Sequence, residues 1–374
     1  MRAIRVSHVC RHWRQLALRN PIFWTVQLPI RSKEGKPLSP DYIAMTKLCQ
    51  ERSAPRSIFL RLRNGYHEPP ISDALADVLA SAAPRWYELE TFCPSLPRFF
   101  VPPSFAKSLE LGDAIPMFPM PWEQLTKLSL GECAFKLWLK ILTHCNSLVD
   151  LKIETMDPDE DDSSQNLPEG LVIVPQLRTF RLDLCGNQIE SCFARLSFPQ
   201  LETLEVGHTL GVIDRREWDN TASTVFSQFL LRSPLLEDLH LAVFDLLPHH
   251  LEEALSSTPS LIKLRLECCM YCVDNDFLHF LEYCPNHPPH IAPRLRTLQF
   301  GSVRSDFTQK RLEAMIRSRW WSAQALQALP TPPLVAAWES IHIWRGDDPE
   351  WNLSRPFENK MEAWRSEGLD IQVT

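Results

Sequence analysis

Leu177-Arg-Thr-Phe180-Arg-Leu182-Asp-Leu-Cys185 carries apolar side chains at its first, fourth and sixth positions and a cysteine at its ninth. The spacing returns at Leu125/Leu128/Leu130/Cys133, Leu148/Leu151/Ile153/Met156, Leu201/Leu204/Val206/Thr209, Leu236/Leu239/Leu241/Phe244, Leu261/Leu264/Leu266/Cys269 and Leu295/Leu298/Phe300/Val303. Positions four and six share one face of a short strand, because side chains alternate with period two, and position one anchors the turn leading in. A single copy cannot hide that face. Stacked copies remove the leucines from water at roughly 1.5–3 kcal/mol for each fully buried Leu, so stability comes from neighbours and several copies are needed. First positions lie at 125, 148, 177, 201, 236, 261 and 295, at intervals of 23, 29, 24, 35, 25 and 34. Such uneven intervals predict variable helices or loops on the outer side of each strand, legible at Phe135 to Leu142, Thr224 to Leu231, His250 to Leu255 and Asp274 to Leu281. Pro175, Pro199, Pro234, Pro259 and Pro293 stand just before repeat leucines, where proline ends the preceding helix and sets an extended approach to the strand.

This spacing resembles the leucine-rich repeat, L-x-x-L-x-L-x-x-N/C-x-L, and Cys133, Cys185 and Cys269 at the ninth position resemble its cysteine-containing class. The resemblance implies an α/β fold: a solenoid of strand-turn-helix repeats with a curved parallel sheet. Its ninth residue is expected to point inward and satisfy the turning backbone.

With 374 residues, 44% of them hydrophobic, the chain has ample apolar content for a large core. A net charge of −7 and a pI near 6.0 argue against non-specific nucleic-acid binding, which requires a clustered positive face. No run of about 18 apolar residues is present and Met1-Arg-Ala-Ile lacks a long apolar signal core, so a soluble cytoplasmic or nuclear protein without a membrane partner is expected. Eleven scattered cysteines, an odd number without a secretory signal, read as reduced thiols.

Residues 1–28 form a separate segment. Val6, Val9, Cys10, Trp13, Leu16 and Ala17 fall at helical spacing until Asn20-Pro21 stops the helix, and Phe23 and Trp24 follow. The run from Val6-Ser-His-Val-Cys10-Arg-His-Trp13 to Pro21-Ile-Phe-Trp24 resembles the second half of an F-box in the form common in mushroom-type fungi, through Cys-x-x-Trp followed by Pro-x-x-Trp. The resemblance implies docking on a Skp-type adaptor, and through it on a cullin, by Val6, Val9, Cys10, Trp13 and Trp24. The Leu-Pro pair and first amphipathic helix of an F-box do not precede Val6, which leaves adaptor binding open. Trp13 and Trp24 read alternatively as core aromatics of a helical cap.

Residues 29–104 read as a linker and degenerate opening repeats: helices at Asp41 to Gln50 and Ile71 to Ala82, strands at Ile58 to Leu62 and Trp86 to Phe92, with the solenoid beginning near residue 55. Ala106/Leu109/Leu111/Ala114 fits the spacing, and 105–345 is the repeat region. It closes with a helix from Asp306 to Trp321 and a strand around Trp338/Ile341/Ile343. Residues 346–374, with a helix at Glu358 to Glu367 and a strand at Leu369 to Val373, read as the C-terminal cap.

Two clusters invite a metal. Asp157-Pro-Asp159-Glu-Asp161-Asp162 imitates a calcium loop but has Asp162 where glycine belongs and Pro168 where the bidentate Glu belongs. Cys268, Cys269, Cys272, His279, Cys284, His287 and His290 have zinc-like spacing, yet Cys269 occupies an inward position and Cys268 projects oppositely. No G-x-S-x-G, G-x-G-x-x-G, P-loop or H-E-x-x-H occurs, so neither catalysis, cofactor nor metal is expected.

The residues alternating with the buried leucines, Ser129, Lys152, Arg181, Glu205, His240, Arg265 and Gln299, with Glu154, Asp183 and Glu267 beyond them, are expected to face the concavity. Their mixed charge suits a polypeptide. Lys152, Arg181, Asp183, Glu205, His240, Arg265 and Glu267 are the candidate target contacts, each also readable as an ordinary solvated charge. Trp122, Trp138 and Trp218 are candidate anchors or convex-side packing. The combined resemblance implies a substrate-recognition subunit of a Skp-cullin-F-box ubiquitin ligase. The alternative is a repeat scaffold outside any ligase.

Overall fold

A computed structural model of the chain describes residues 9–24, 28–30, 39–63, 73–92, 121–133, 135–155, 170–185, 189–208, 218–269, 271–285, 291–301, 307–321, 326, 332–344 and 353–373. The chain divides into two compact units, Met1–Leu177 and Arg178–Thr374. The boundary falls inside the 105–345 stretch that the spacing marks as one region.

In the first unit β1 (Leu28–Ile30), β2 (Ile58–Arg63), β3 (Trp86–Phe92), β4 (Lys127–Cys133) and β5 (Asp150–Thr155) lie side by side in chain order, every neighbouring pair parallel. A two-residue strand, β6 (Val172–Ile173), follows. The ladder therefore opens at Leu28 rather than near residue 55. In the second unit β7 (Thr179–Leu184) is followed by the two-residue β8 (Leu196–Ser197) and then by β9 (Thr203–His208), β10 (Asp238–Ala242), β11 (Lys263–Glu267), β12 (Thr297–Gly301), β13 (Ser340–Trp344) and β14 (Asp370–Val373). From β7, skipping β8, these too are parallel neighbours in chain order. Parallel pairing demands that the chain return on the far side between strands, and the helices lie on those returns. Both units are leucine-rich-repeat stacks.

Strand register places equivalent apolar positions opposite one another, as in Leu204↔Leu239↔Leu264↔Leu298 and Val206↔Leu241↔Leu266↔Phe300. These residues are buried, as are the position-one leucines Leu201, Leu236, Leu261 and Leu295. The five prolines do not extend the backbone on the way in. Each is the second residue of a β-turn whose fourth residue is the repeat leucine, closed by Leu177 N–H to Val174 O, Leu201 to Phe198, Leu236 to Ser233, Leu261 to Thr258 and Leu295 to Ala292. One carbonyl per rung then accepts two successive amides of the next rung. Arg178 O takes Glu202 and Thr203, Glu202 O takes Glu237 and Asp238, Glu237 O takes Ile262 and Lys263, and Ile262 O takes Arg296 and Thr297, all at 2.8–3.0 Å.

The turn out of the strand explains the inward ninth residue. Val243 and Cys268, at position eight, adopt left-handed backbone (φ 66° and 55°) while their amides still bond to Glu267 O and Gly301 O. Phe244 and Cys269 are thereby turned into the core, and Cys269 Sγ reaches the carbonyls of Leu241 and Glu267 at 3.5 Å. Cys133 is likewise buried, whereas Cys185 is only half-buried. Met156, Thr209, Val303 and Ala106 to Ala114 lie outside the described residues.

Phe135–Leu142 is a helix with the expected bounds. Asn220–Leu231, Pro248–Ser256, Pro40–Ser53 and Arg355–Ser366 start before their apolar faces do, and a five-residue helix, Ile189–Phe193, was not expected. Asp219, Asp274 and Thr308 accept from the amides of Ala222, Phe277 and Arg311, so side-chain caps rather than leucines fix several starts. The last segment is more than a cap. Ile341↔Ile371 and Ile343↔Val373 pair in register, making β14 a further rung.

Three arginines tie successive returns together. Arg85 donates to Gln50 O at 2.6 Å and Arg56 O at 3.2 Å, Arg232 to Phe193 O at 2.7 Å and Leu196 O at 3.0 Å, and Arg319 to Ile291 O at 2.7 Å and Ala292 O at 3.2 Å. Carbonyls at the end of a helix lack intrahelical donors, and Arg85 and Arg232 supply them from the following return.

Candidate functional site

Strict alternation along β7 and β9 turns Arg181, Asp183 and Glu205 away from the core, and the pattern continues with His240 on β10 and Arg265 on β11. Register sets Arg181, Glu205, His240 and Arg265 in one row, Arg181↔Glu205↔His240↔Arg265↔Gln299↔His342↔Gln372. Six of the seven candidate contacts thus fall on the second unit. Lys152 is on β5 of the first, where it pairs with Glu154 at 2.6 Å on the same face.

The row is cross-linked. Arg181 Nε lies 2.9 Å from Glu205 Oε2. Arg265 Nη2 lies 3.2 Å from both Glu205 Oε1 and Asp238 Oδ2, and Lys263 Nζ is 3.9 Å from Asp238. His240 sits between Glu205 at 4.0 Å and Glu267 at 3.5 Å. Burial and the neighbouring Arg265 lower its pKa, against the opposing pull of Glu267, Glu205 and Asp238. Ion pairs as exposed as these contribute about 0–1 kcal/mol each, so the network orients side chains more than it stabilises the fold. Asp183 lies in the adjoining row, opposite Gly207.

Farther along, Ser340 Oγ is 3.1 Å from His342 Nε2, which is 2.8 Å from Asp370 Oδ2. These residue types suggest a catalytic triad, but the arrangement is unsuited to one. Serine and aspartate meet the same imidazole nitrogen, and the serine also donates to the aspartate at 3.2 Å, so the ring cannot take a proton on one nitrogen while the acid holds the other. Hydrogen bonding from Gln372, then from His342, holds the Asp370 carboxyl below its ordinary range.

The N-terminal segment presents another surface. In the helix Arg11–Arg19, Cys10 is the cap, accepting from Trp13 N–H at 3.5 Å. Trp13 and Leu16, three apart on the helix, are 47% and 44% exposed, and Val9, ahead of the cap, is 69% exposed. Ala17, one turn on from Trp13, is buried and its carbonyl accepts from Trp24 Nε1 at 2.6 Å. Trp24 does not stand on the open face: it packs with Phe23, Met45 and Cys49 beneath the Arg52 guanidinium, so its ring belongs to the chain's own core. Val6 lies outside the described residues.

Trp122, Trp138 and Trp218 are buried, as packing requires and anchoring on a partner does not allow. Cys268 and Cys284 are exposed while Cys269 and Cys272 are buried. Among the described residues no group of three or more His, Cys, Asp or Glu side chains could hold a metal ion, and His287, His290 and the acidic run at 157–162 lie outside them. Nor, among the described residues, is any helix long and apolar enough to cross a membrane.

Sequence reasoning missed Trp344, the Ser340–His342–Asp370 group and the three arginines. Arg85 and Arg319 each precede a tryptophan and Arg232 precedes Ser-Pro, a recurrence visible only once the returns are aligned.

A scan against protein-family models finds no match, and a search of the curated proteins finds none either. Among solved structures the chain is similar to the leucine-rich repeat-containing protein LegL7 from Legionella pneumophila. The identity is 12%, covering 91% of this chain and 98% of that one, with a TM-score of 0.37. Strand order and register define a leucine-rich-repeat fold.

Proposed function

We propose that the chain is a target-recognition subunit of a Skp-cullin-F-box type ubiquitin ligase. The N-terminal helix docks on the adaptor, and the strand face of the repeats holds a target protein. It contributes no catalytic group; its effect on ubiquitin transfer is positional, raising the effective concentration of a target lysine near a conjugating enzyme held elsewhere.

The observation that carries this reading is that Trp13 and Leu16 stand exposed on a helix held to the chain's own core through the neighbouring Ala17 and Trp24, with Val9 exposed just ahead of the cap. Contiguous apolar side chains left in water mark a docking surface. Pull-down with a purified Skp-type adaptor tests it: the chain retains the adaptor and Trp13→Ala loses it. No retention, even with an F-box opening helix fused ahead of residue 1, rejects the ligase role and leaves a repeat scaffold that binds proteins without entering a ligase.

A further inference from the structure

Trp344, the last residue of β13, is 41% exposed in the row Ala242↔Glu267↔Gly301↔Trp344. Its ring lies over its register partner Gly301: a Cβ there would come within 3.0 Å of Trp344 Cε3 and 3.1 Å of its Cβ. Gly301 stands within a strand, so its value is the seat it leaves for the indole. His342 meets the ring edge-on, with centroids 5.9 Å apart and planes at 81°. The other face of the seat is acidic. Glu267, register partner of Gly301 on the opposite side, is 55% exposed along its side chain. Two rungs, roughly 10 Å, separate it from Trp344.

The bases of this face are engaged: Arg265 with Glu205 and Asp238, Arg181 with Glu205, Lys263 with Asp238. Among the described residues Glu267 has only the His240 imidazole, at 3.5 Å, and burial together with Arg265 favours the uncharged ring there. An exposed indole leaning over Gly301 thus stands one rung from a carboxylate whose charge is not cancelled among the described residues.

We propose that Trp344 and Glu267 form a seat for a basic side chain of a polypeptide ligand, arginine above lysine. The guanidinium lies against the indole, where a ring quadrupole attracts a cation, and its fork turns to the carboxylate. The seat rests on reading the strand face as the target-binding surface and is independent of the adaptor.

Random peptides displayed on phage and selected on the whole chain test it. Selected peptides are enriched in arginine, and exchanging that arginine for uncharged citrulline weakens binding about tenfold, as do Trp344→Ala and Glu267→Gln, with Trp344→Phe falling between. Thermal melting of each variant checks the fold, and if Trp344→Ala melts early, Glu267→Gln and the citrulline peptide decide. Acidic or uncharged binders, or arginine peptides indifferent to Glu267→Gln and Trp344→Phe, overturn the seat. If such peptides are nevertheless weakened by Arg181→Ala or His240→Ala, the target-binding face stands and only the seat fails. No peptide binding anywhere on the strand face overturns both.

Discussion

Replacing Arg232 by methionine tests how the returns hold together. Its guanidinium donates to Phe193 O at 2.7 Å, at the end of the helix Ile189–Phe193, and to Leu196 O at 3.0 Å. Methionine keeps most of the stem's packing and removes both bonds. A hydrogen bond from a charged donor contributes about 1.5–3 kcal/mol, and partial exposure of the guanidinium discounts each, so a loss of about 2–4 kcal/mol is expected. Lysine offers a point donor that cannot span both carbonyls, and Arg232→Lys recovers about half. Arg319 makes the comparison sharper. It is buried, among the described residues its Nε and Nη1 have no hydrogen-bond partner, and burial pushes its pKa down to about 10. Arg319→Met therefore removes a desolvated charge along with two bonds, and a change within about 1 kcal/mol is expected. Urea unfolding followed by far-UV circular dichroism reads these differences, with constant slope confirming that the same surface is exposed. If Arg232→Met unfolds within about 0.5 kcal/mol of wild type, the carbonyls find other donors and the clamp is not a stabilising device.

In the same assay Leu204→Ala or Leu266→Ala should cost about 2–5 kcal/mol, while Arg181→Ala costs under about 1 kcal/mol; equal losses would contradict the inward and outward assignment. His240 and His250 both have pKa values lowered from 6.5, chiefly by burial, with Arg265 and His249 respectively as the next cause. The unfolded chain then binds more protons below about pH 6.5, so stability falls as pH drops through that value, and His240→Gln flattens the fall between about pH 7.5 and about pH 5.5. Iodoacetamide mapped by mass spectrometry should label Cys10, Cys268 and Cys284 in the native protein. It should spare Cys133 and Cys145, whose thiols burial pushes up to about 12, until denaturant is added.

The strand core was legible because leucine spacing records a geometry that every rung must satisfy. Leu204, Leu239 and Leu264 align as the pattern demands. What escaped was set by single polar contacts. The caps Asp219 and Asp274 start helices before any leucine does, and β1 pairs ahead of the repeat signal through its backbone. The outward side of Arg181, Glu205, His240 and Arg265 followed from period two, but their cross-linking depends on register, which the sequence does not display. Trp24 misled because tryptophan at a motif position serves packing and docking equally well, and only Met45 and Cys49 around it decide. Gly301 gave no warning that it makes room for Trp344.

Because positions two and three of a rung hang from a single carbonyl of the rung before, the phase of the alternation is reset at each rung instead of being inherited from the preceding return. An extra codon on the outer path leaves the polar face untouched, whereas the same codon inside a strand inverts that rung alone. The returns are thus free to drift in length while the outward row of each strand keeps its order.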